Sequence, residues 1–422
     1  MILRAVRSAA RRILNARVSN ISQPPQGGPM SLVTIEPDLV SAHTRDCRRA
    51  YGLVLDGQVN SRAEISRRLG LRSTSTSRVV AELLEHRLLI ETSGASAGRG
   101  RPASVLIANT RRIGASVIYV SSRSLAGALV DLSGHLVVER RRAMPEQAGN
   151  AELAAAMAAL AEELLAAMPP GMSHAGTAVS LSGLIDLRLG QWLLASRWPK
   201  MRGLDIRALI EPIAGPVAIC RNLDAELRAR AIRAADGFAG GTMLLHWGWG
   251  IGLAYAQDGE PYAPTGSFGE IGHWRLAALG EKPCGCGNTG CLETGAALWA
   301  LLPVLRRHWP DLDENETRLT GQLAALDLLS LPEIEAAARL LARSLANACR
   351  ILFPARIAVS GPFVRNAQLW ARLVTLFREE GTMDGFAMPE LLGVESGHLY
   401  EVHGAASPLL SHAIASLLSA KA

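Results

Sequence analysis

Two short segments decide the fold, GEIGH at residues 269–273 and CGCGNTGCLE at residues 284–293. Three thiolates and one imidazole make a complete tetrahedral ligand set for zinc. The two segments supply that set as His273, Cys284, Cys286 and Cys291. The glycines between the cysteines allow the tight turns that bring the thiols together. Because four protein ligands leave no position open for water, the segment predicts a structural Zn²⁺ site. The alternative is three reduced, buried cysteines beside an unrelated histidine.

The composition is that of a globular protein with more than one domain. The chain has 422 residues, of which 49% are hydrophobic and 19% charged, which excludes a disordered or collagen-like chain. Six cysteines are too few for a disulfide scaffold, and their clustering favours metal binding in a reducing, cytoplasmic compartment. The long uncharged run 237–257 is rich in glycine and indicates strand, turn and strand, so we expect no membrane partner.

The charge is unevenly distributed along the chain. Residues 1–112 hold 18 basic and 8 acidic residues, a formal charge of +10, whereas the other 310 residues hold 26 and 30, a charge of −4. A basic front end joined to an acidic body predicts an anionic partner for the front end. We expect residues 1–40 to be a basic, disordered extension. A transit peptide, or a true start at Met30, remains an alternative for its first part.

Residues 41–110 have the pattern of a winged helix-turn-helix. Three helical patterns are followed by two strand-like runs around an arginine-containing tip, GRGRP at residues 98–102. The second helix should begin after Ser61, which forms a capping box with Glu64, and should end at Gly70. The third helix should bury Val79 and its apolar neighbours.

The predicted DNA contacts lie on the third helix and on the wing. Short polar side chains at the start of a helix allow the backbone to approach the major groove, and arginines contact bases or phosphates. The candidates are Thr74, Ser75, Thr76, Ser77 and Arg78 on the helix, and Arg99 and Arg101 on the wing. The alternative is a helical protein-interaction module with a basic, solvated face.

The zinc segment and several other motifs resemble the ROK family, which contains repressors, open reading frames and sugar kinases. The further motifs are VDLSG at 130–134, LSG at 181–183, VSGP at 359–362 and GAA at 404–406. The resemblance implies an α/β fold of two actin-like ATPase lobes for residues 111–422. The regulators of the family add an N-terminal winged helix-turn-helix, in agreement with residues 41–110.

The resemblance also implies positions for three kinase elements, and each of them departs from the family pattern. The first phosphate loop falls on residues 119–124, which contain no glycine. The second, residues 248–253, carries Trp249 in place of a small hydroxyl side chain and Leu253 in place of glycine. The catalytic base falls on Leu223, which cannot accept a proton. We therefore expect no kinase activity, unless an alignment shift brings Asp224 to the base position.

The sugar contacts of the family fall on residues that are present. They match Asn222, Glu270, His273 and Glu293, and Arg197 stands where the family often has an amide. Carboxylates accept hydrogen bonds from hydroxyl pairs, and an arginine favours an acidic or phosphorylated sugar. The alternative is that the two glutamates only support the zinc loop.

These expectations combine into one functional prediction. The chain is predicted to be a DNA-binding transcriptional regulator, a repressor of sugar uptake or catabolism genes, that binds double-stranded operator DNA as a homodimer or tetramer. Its effector is predicted to be a sugar or sugar derivative. An ATP-dependent sugar kinase with an added domain, and a scaffold for another protein, are the competing functions.

Overall fold

The computed structural model describes residues 32, 41–93, 104–234, 238, 240–263, 268–385 and 387–419. The predicted wing tip, with Arg99 and Arg101, lies outside the described residues. So does the predicted extension 1–40, apart from Leu32.

The N-terminal part, here named the headpiece, contains three helices followed by an antiparallel hairpin, as the sequence predicts. Its elements are α1 (Ala42–Leu55), α2 (Arg62–Leu69), α3 (Ser73–Glu85), β1 (Leu89–Ser93) and β2 (Ser104–Ala108). At the start of α2, Ser61 Oγ accepts a hydrogen bond from the Glu64 amide, and Gly70 ends the helix with a φ of 66°. The Glu64 carboxylate accepts from the amide of Asn60, one residue earlier than in a capping box.

Lobe I is built on a five-stranded mixed sheet with the strand order β10-β6-β3-β4-β5. The first three strands in sequence form an antiparallel meander, and the later two run parallel to β3. Its elements are β3 (Ile113–Ser121), β4 (Ser124–Asp131), β5 (Leu136–Ala143), α4 (Asn150–Ala166), β6 (Ser173–Leu181), α5 (Ile206–Ala214) and β10 (Val217–Arg221). A small sheet follows β6 and contains β7 (Leu184–Asp186), β8 (Gln191–Leu194) and β9 (Arg202–Asp205).

Lobe II repeats the same topology in the order β13-β12-β11-β14-β15. Its strands are β11 (Gly241–Trp247), β12 (Ile251–Gln257), β13 (Glu260–Pro261), β14 (Arg356–Ser360) and β15 (Leu391–Gly393). Five helices accompany them: α7 (Glu293–Ala296), α8 (Leu298–His308), α9 (Glu316–Leu323), α10 (Pro332–Leu352) and α11 (Ala367–Gly381). The repeated order, with an antiparallel hairpin on one side of the central strand and parallel strands on the other, agrees with the predicted two-lobed α/β fold.

Two helices between the sheets join the lobes. Helix α6 (Asn222–Arg233) packs Leu223 and Leu227 against Leu244 in lobe II. Helix α12 (His398–Ser419) packs against the lobe I sheet and against α6. The two helices meet at Gly404, where an added Cβ would lie 1.7 Å from the carbonyl oxygen of Ala225. Only glycine fits this contact without a backbone shift, because real atoms cannot approach so closely.

The headpiece shares its apolar core with lobe I and α12. One cluster of buried side chains includes Cys47 and Tyr51 of α1, Val117 of β3 and Leu410 of α12. Leu32 is also fully buried in this cluster, and its carbonyl accepts a hydrogen bond from Ser407 Oγ of α12 at 2.5 Å. Leu32 is thus packed against α12, where burial of an apolar side chain gains free energy.

Within the part of the chain that the structure describes, no helix combines the length and the apolar content needed to cross a lipid bilayer.

The contact between α6 and α12 at Gly404 can be tested by comparing two glycine-to-alanine substitutions. Gly404→Ala should lower the free energy of unfolding by about 1–3 kcal/mol, because the new methyl group collides with backbone. Gly52→Ala, inside α1, places the new Cβ more than 4 Å from every atom beyond its chain neighbours and the adjacent backbone of α1, so stability should stay unchanged or rise by up to about 1 kcal/mol. Thermal unfolding followed by circular dichroism measures both. Equal stability of the two variants would contradict the assigned helix contact.

Candidate functional site

A deep cleft lies between the lobes, with a volume of about 860 Å³. The N-terminal end of α6, the turn after β11 and the segment before the cysteines line it on the lobe II side. The β3–β4 turn and the loop after β8 line it on the lobe I side. The five residues predicted to contact a sugar all line this cleft: Arg197, Asn222, Glu270, His273 and Glu293. Residues separated by almost one hundred positions are thus brought to one surface.

Glu270 and Asn222 present polar groups to the cleft. Among the described residues, neither side chain has an intramolecular hydrogen-bond partner. Burial raises the pKa of Glu270 to about 7; Arg221 opposes this shift, while the charges of Glu293 and Asp224 add to it. The Glu270 carboxyl group and the Asn222 amide are therefore free to hydrogen-bond to a polar ligand.

Glu293 has a structural role as well as a place in the cleft. Its Oε1 accepts a hydrogen bond from the amide of Ile251 at 2.8 Å, and its Oε2 accepts one from Trp299 Nε1 at 3.2 Å. The carboxylate therefore ties the start of β12 to α8. The alternative that Glu293 only supports neighbouring structure therefore has a physical basis. The segment that Glu293 supports is β12, however, and not the cysteine loop.

Arg197 is held by an ion pair across the cleft. Its Nη2 donates to Glu316 Oε1 at 2.8 Å, and its guanidinium lies 4.4 Å from the centre of the Trp249 ring. Arg123 of the β3–β4 turn forms a second cross-lobe ion pair, with Glu314 at 3.0 Å. A ligand that uses Arg197 must therefore share it with, or take it from, Glu316.

Glu316 is a residue that sequence reasoning did not single out. It also contacts His246 Nε2 at 3.0 Å and accepts a hydrogen bond from the Trp249 amide. Burial acts to raise the pKa of Glu316, but His246 and Arg197 outweigh it and lower the pKa to about 2. Burial acts to lower the pKa of His246, but Glu316 outweighs it and raises the pKa. The sequence signal was only a capping asparagine, Asn315, in an acidic loop.

Glu401 of α12 is a second cleft residue that sequence reasoning missed. Its carboxyl accepts a hydrogen bond from Ser180 Oγ at 2.7 Å. Burial raises the pKa of Glu401 to about 8. No motif marked it, because its burial depends on the packing of α12 against β6.

At the positions aligned with the kinase elements, several polar side chains are engaged with other side chains of the protein. Ser122 and Arg123 form a two-residue turn, and the Tyr119 hydroxyl donates to Glu139 at 2.8 Å. The Trp249 ring lies beside Arg197, on the loop aligned with the second phosphate loop. Leu223 is buried and lines the cleft, whereas Asp224 accepts a hydrogen bond from Arg221 Nε at 2.8 Å.

The three cysteines and His273 converge at the edge of the cleft. Their four potential ligand atoms all lie within 4.8 Å of one another. Cys286 and Cys291 Sγ are 3.7 Å apart, and Cys284 Sγ is 3.6 Å from His273 Nδ1. In a tetrahedral site with Zn–S bonds of about 2.3 Å, two sulfurs lie about 3.8 Å apart. The cluster therefore fits a bound metal ion, as the sequence predicts.

Backbone turns hold the cysteine loop in this shape. The Cys284 amide donates to Asn288 O at 2.9 Å, and Gly290 has a φ of 68°. A Cβ at residue 290 would lie 2.5 Å from the carbonyl oxygen of Gly280, so this position requires glycine.

Most of the predicted DNA-contact positions on α3 are exposed. Thr74, Ser75, Ser77 and Arg78 lie on the solvent side of the helix. Thr76 is only 2% exposed, and its hydroxyl donates to Arg72 O. The prediction for Thr76 is wrong, because helical periodicity puts it on the same face as Val80 and Leu83.

Comparisons with known proteins agree with this geometry. The ROK family model matches residues 118–407. The DNA-binding transcriptional repressor Mlc of Escherichia coli (strain K12) is 26% identical over 359 residues, which cover 78% of this chain and 88% of Mlc. The putative xylose repressor of Caldicellulosiruptor sp. (strain Rt8B.4) is 27% identical over 258 residues, 60% of this chain and 64% of that relative, just under two thirds of its length.

Solved structures show the same fold. A ROK family transcriptional regulator, described as a homologue of the E. coli MLC protein, superposes with a TM-score of 0.66 at 22% identity, covering 89% of this chain and 97% of its own. The ROK hexokinase of Thermus thermophilus superposes with a TM-score of 0.54 at 25% identity, covering 71% and 97%. The hexokinase covers the smaller share of this chain.

The ion pair between His246 and Glu316 leads to a pH prediction. Glu316→Gln should lower the free energy of unfolding by about 1–3 kcal/mol near pH 6. The raised pKa of His246 stabilises the fold below about pH 6.5, its unfolded value, and this contribution disappears as pH rises through the folded pKa. The lowered pKa of Glu316 stabilises the fold above about pH 4.5, and this contribution disappears as pH falls towards 2.

The measurement compares melting temperatures of wild type and Glu316→Gln from pH 4 to pH 9. The difference should be largest between about pH 5 and 6.5 and should narrow on both sides. Glu314→Gln is the matched control, because Glu314 pairs with an arginine and not a histidine. A wild-type advantage that stays constant up to pH 9 would refute the pairing.

Proposed function

The chain belongs to the ROK family, and from this premise we propose that it is a DNA-binding transcriptional repressor of sugar uptake or catabolism genes. The observation that carries the proposal is the combination of an exposed polar α3 face with a cleft that keeps free hydrogen-bonding groups at Asn222 and Glu270. The relatives named as repressors support it.

The headpiece is the DNA-binding part of this proposal. Thr74, Ser75 and Ser77 allow α3 to approach the major groove, and Arg78 contacts a base edge or a phosphate. Arg99 and Arg101 of the predicted wing add backbone or minor-groove contacts. The protein acts as a homodimer or tetramer, so its operator is an inverted repeat with half-sites a whole number of helical turns apart.

The cleft is the effector site. A sugar or sugar derivative hydrogen-bonds to Asn222, Glu270 and His273, with Glu293 beside them. Arg197 adds a contact for an acidic or phosphorylated sugar, provided that it leaves Glu316. Arg197 and Glu316 belong to different lobes, so a ligand that breaks their ion pair shifts the equilibrium between the open and closed forms of the cleft. It regulates DNA binding only if it binds the two arrangements with different affinity.

His273, Cys284, Cys286 and Cys291 hold a structural Zn²⁺ ion in this proposal. The metal would connect the segment after β13 to the start of α7, and so fix His273 and Glu293 at the cleft. With four protein ligands, it supplies no open coordination position for chemistry.

Loss of kinase activity completes the proposal. Phosphoryl transfer needs a base at the sugar hydroxyl and close backbone contacts to phosphates. Leu223 has no proton acceptor, and the Asp224 carboxylate is occupied by Arg221. Trp249, beside Arg197, fills space on the aligned phosphate loop with an indole ring.

DNA binding is tested with Arg78→Ala. Fragments of genomic DNA are selected by binding to the full-length wild type, and the affinity of an enriched fragment is measured by fluorescence anisotropy over a range of salt. Arg78→Ala should bind about tenfold more weakly or worse, because one arginine contact to a base contributes about 1–3 kcal/mol. Arg188→Ala removes the same charge from an exposed turn of lobe I and should bind as wild type does. Absence of any enriched fragment would reject the proposed function.

Effector binding is tested with a library of sugars and sugar phosphates. A true ligand should raise the melting temperature of the wild type. Glu270→Gln should weaken that ligand by about tenfold or more, since it removes a charge-assisted hydrogen bond. Glu211→Gln, at an exposed position of α5, is the control. A coupled assay with ATP and the same sugars should give no turnover, and turnover that disappears in Asp224→Asn would establish the kinase instead.

A further inference from the structure

A second cluster of metal-ligand side chains lies in the headpiece, far in sequence from the cysteine loop. His43, Cys47 and Glu82 bring an imidazole nitrogen, a thiol sulfur and a carboxylate oxygen within 4.8 Å of one another. Cys47 Sγ is 3.7 Å from His43 Nε2, and the same nitrogen contacts Glu82 Oε2. Within the described part of the chain, this is one of two clusters with three or more such ligands.

The fold accounts for the convergence. His43 and Cys47 are four residues apart on α1, and side chains at that spacing lie on one face of a helix. Cys47 is fully buried against α3, where Val79 and Leu83 pack in the same core. Glu82 precedes Leu83 and therefore lies at the edge of this contact. The three ligands come from both helices, so their meeting depends on the helix packing.

The distance between the thiol and the imidazole fits a tetrahedral transition-metal ion, whereas the direct contact between His43 and Glu82 is closer than two ligands of one ion and has to open when the metal binds. With bonds of about 2.3 Å to sulfur and about 2.0–2.1 Å to nitrogen or oxygen, neighbouring ligand atoms lie about 3.4–3.8 Å apart. The distance of 3.7 Å between Cys47 Sγ and His43 Nε2 falls in this range. The side chains of His43 and Glu82 are 31% and 25% exposed. Solvent can therefore reach the site and supply a fourth ligand.

A simple ion pair between His43 and Glu82 is the competing explanation. It accounts for the imidazole–carboxylate contact, and a partly exposed pair of this kind contributes little to stability. The ion pair does not involve the thiol, which the four-residue spacing on α1 places beside the same nitrogen, so all three ligand types meet at one point. The combination of nitrogen, sulfur and oxygen ligands is typical of zinc and related ions, and not of Ca²⁺ or Mg²⁺.

We propose that His43, Cys47 and Glu82 bind a divalent transition-metal ion, preferably Zn²⁺, with water as the fourth ligand. The ion links α1 to α3 and fixes the orientation of the helix that carries Arg78. Metal occupancy therefore sets how well α3 fits a DNA groove. The link to DNA rests on the proposed function, whereas the metal site itself does not.

The metal site is tested by counting zinc in the full-length protein. Wild type is equilibrated with Zn²⁺ and separated from excess metal by gel filtration. Its zinc content per chain is then measured by elemental mass spectrometry. We expect about two zinc ions per chain, one in the cysteine loop and one in the headpiece site. Glu82→Gln and His43→Gln should each retain about one, because loss of a ligand weakens binding by about tenfold or more. Glu85→Gln, an exposed carboxylate one turn away on α3, should retain two.

Replacement of Zn²⁺ by Co²⁺ gives a second measurement, which reports whether the bound ion is coordinated by a thiolate. Co²⁺ bound to a thiolate absorbs strongly in the near ultraviolet. In wild type this absorption should exceed that of Glu82→Gln, in which only the cysteine loop binds. Both variants keep every cysteine and the buried core, so circular dichroism should match the wild type. Equal zinc counts in wild type, Glu82→Gln and His43→Gln, whether one or two, would overturn the site.

The link to DNA has its own outcome. Glu82→Gln should bind an enriched DNA fragment about tenfold more weakly than Glu85→Gln, which carries the same charge change on the same helix. If Glu82→Gln loses one zinc and binds DNA as Glu85→Gln does, the metal site stands and the link to DNA is wrong. If the wild type binds two zinc ions but no DNA, the proposed function fails and the metal site stands.

Discussion

The close contact between α6 and α12 is the constraint on which the rest of the structure depends. Gly404 lets the two helices approach until its Cα touches the backbone at Ala225. Helix α6 packs on the lobe II sheet, and α12 packs on the lobe I sheet, so this one contact fixes the two sheets relative to each other. The cleft is the space that remains between them. A larger residue at position 404 would have to move a whole helix, and with it one wall of the cleft.

Helix α12 also gives a physical route between the cleft and the headpiece. Its first turns carry Glu401 at the cleft, and its later turns bury Leu410 in the core shared with α1. Because a packed core resists continuous deformation, a displacement of α12 would move the headpiece with it. The ion pair between Arg197 and Glu316 joins the lobes on the other side of the cleft. A ligand that competes for Arg197 would therefore change the relative position of the two lobes. Helix α12 would carry that displacement to the headpiece. This is a route for coupling, and coupling itself requires a difference in ligand affinity.

Local sequence patterns predict the helices, the turns and the cysteine loop, but they do not predict contacts between residues far apart in the sequence. The cysteine loop, the Ser61 and Gly70 caps and the two-lobed fold follow from spacing, turn chemistry and family motifs. Polarity alone is a poor guide to the face of Thr76, because helical periodicity places it with the buried side chains and its hydroxyl donates to Arg72 O within the helix. The partner of Arg197 lies 119 residues away, at the start of α9, where the sequence has no motif. No local pattern connects such residues, because only the packing of the lobes brings them together.

The cleft separates two kinds of chemistry that a sugar kinase must combine. Recognition of a polar ligand needs free hydrogen-bonding groups, and Asn222 and Glu270 still offer them. Transfer of a phosphoryl group needs a base and a close backbone cradle. At the aligned positions the chain has Leu223, a glycine-free turn at Ser122, and the Trp249 ring beside Arg197. The guanidinium gains from the indole face. In the proposed function, the bulk of the ring keeps phosphate from the backbone. In the proposed function, the cleft holds a ligand without converting it. A sensor needs that property, because a ligand that is consumed cannot report a steady concentration.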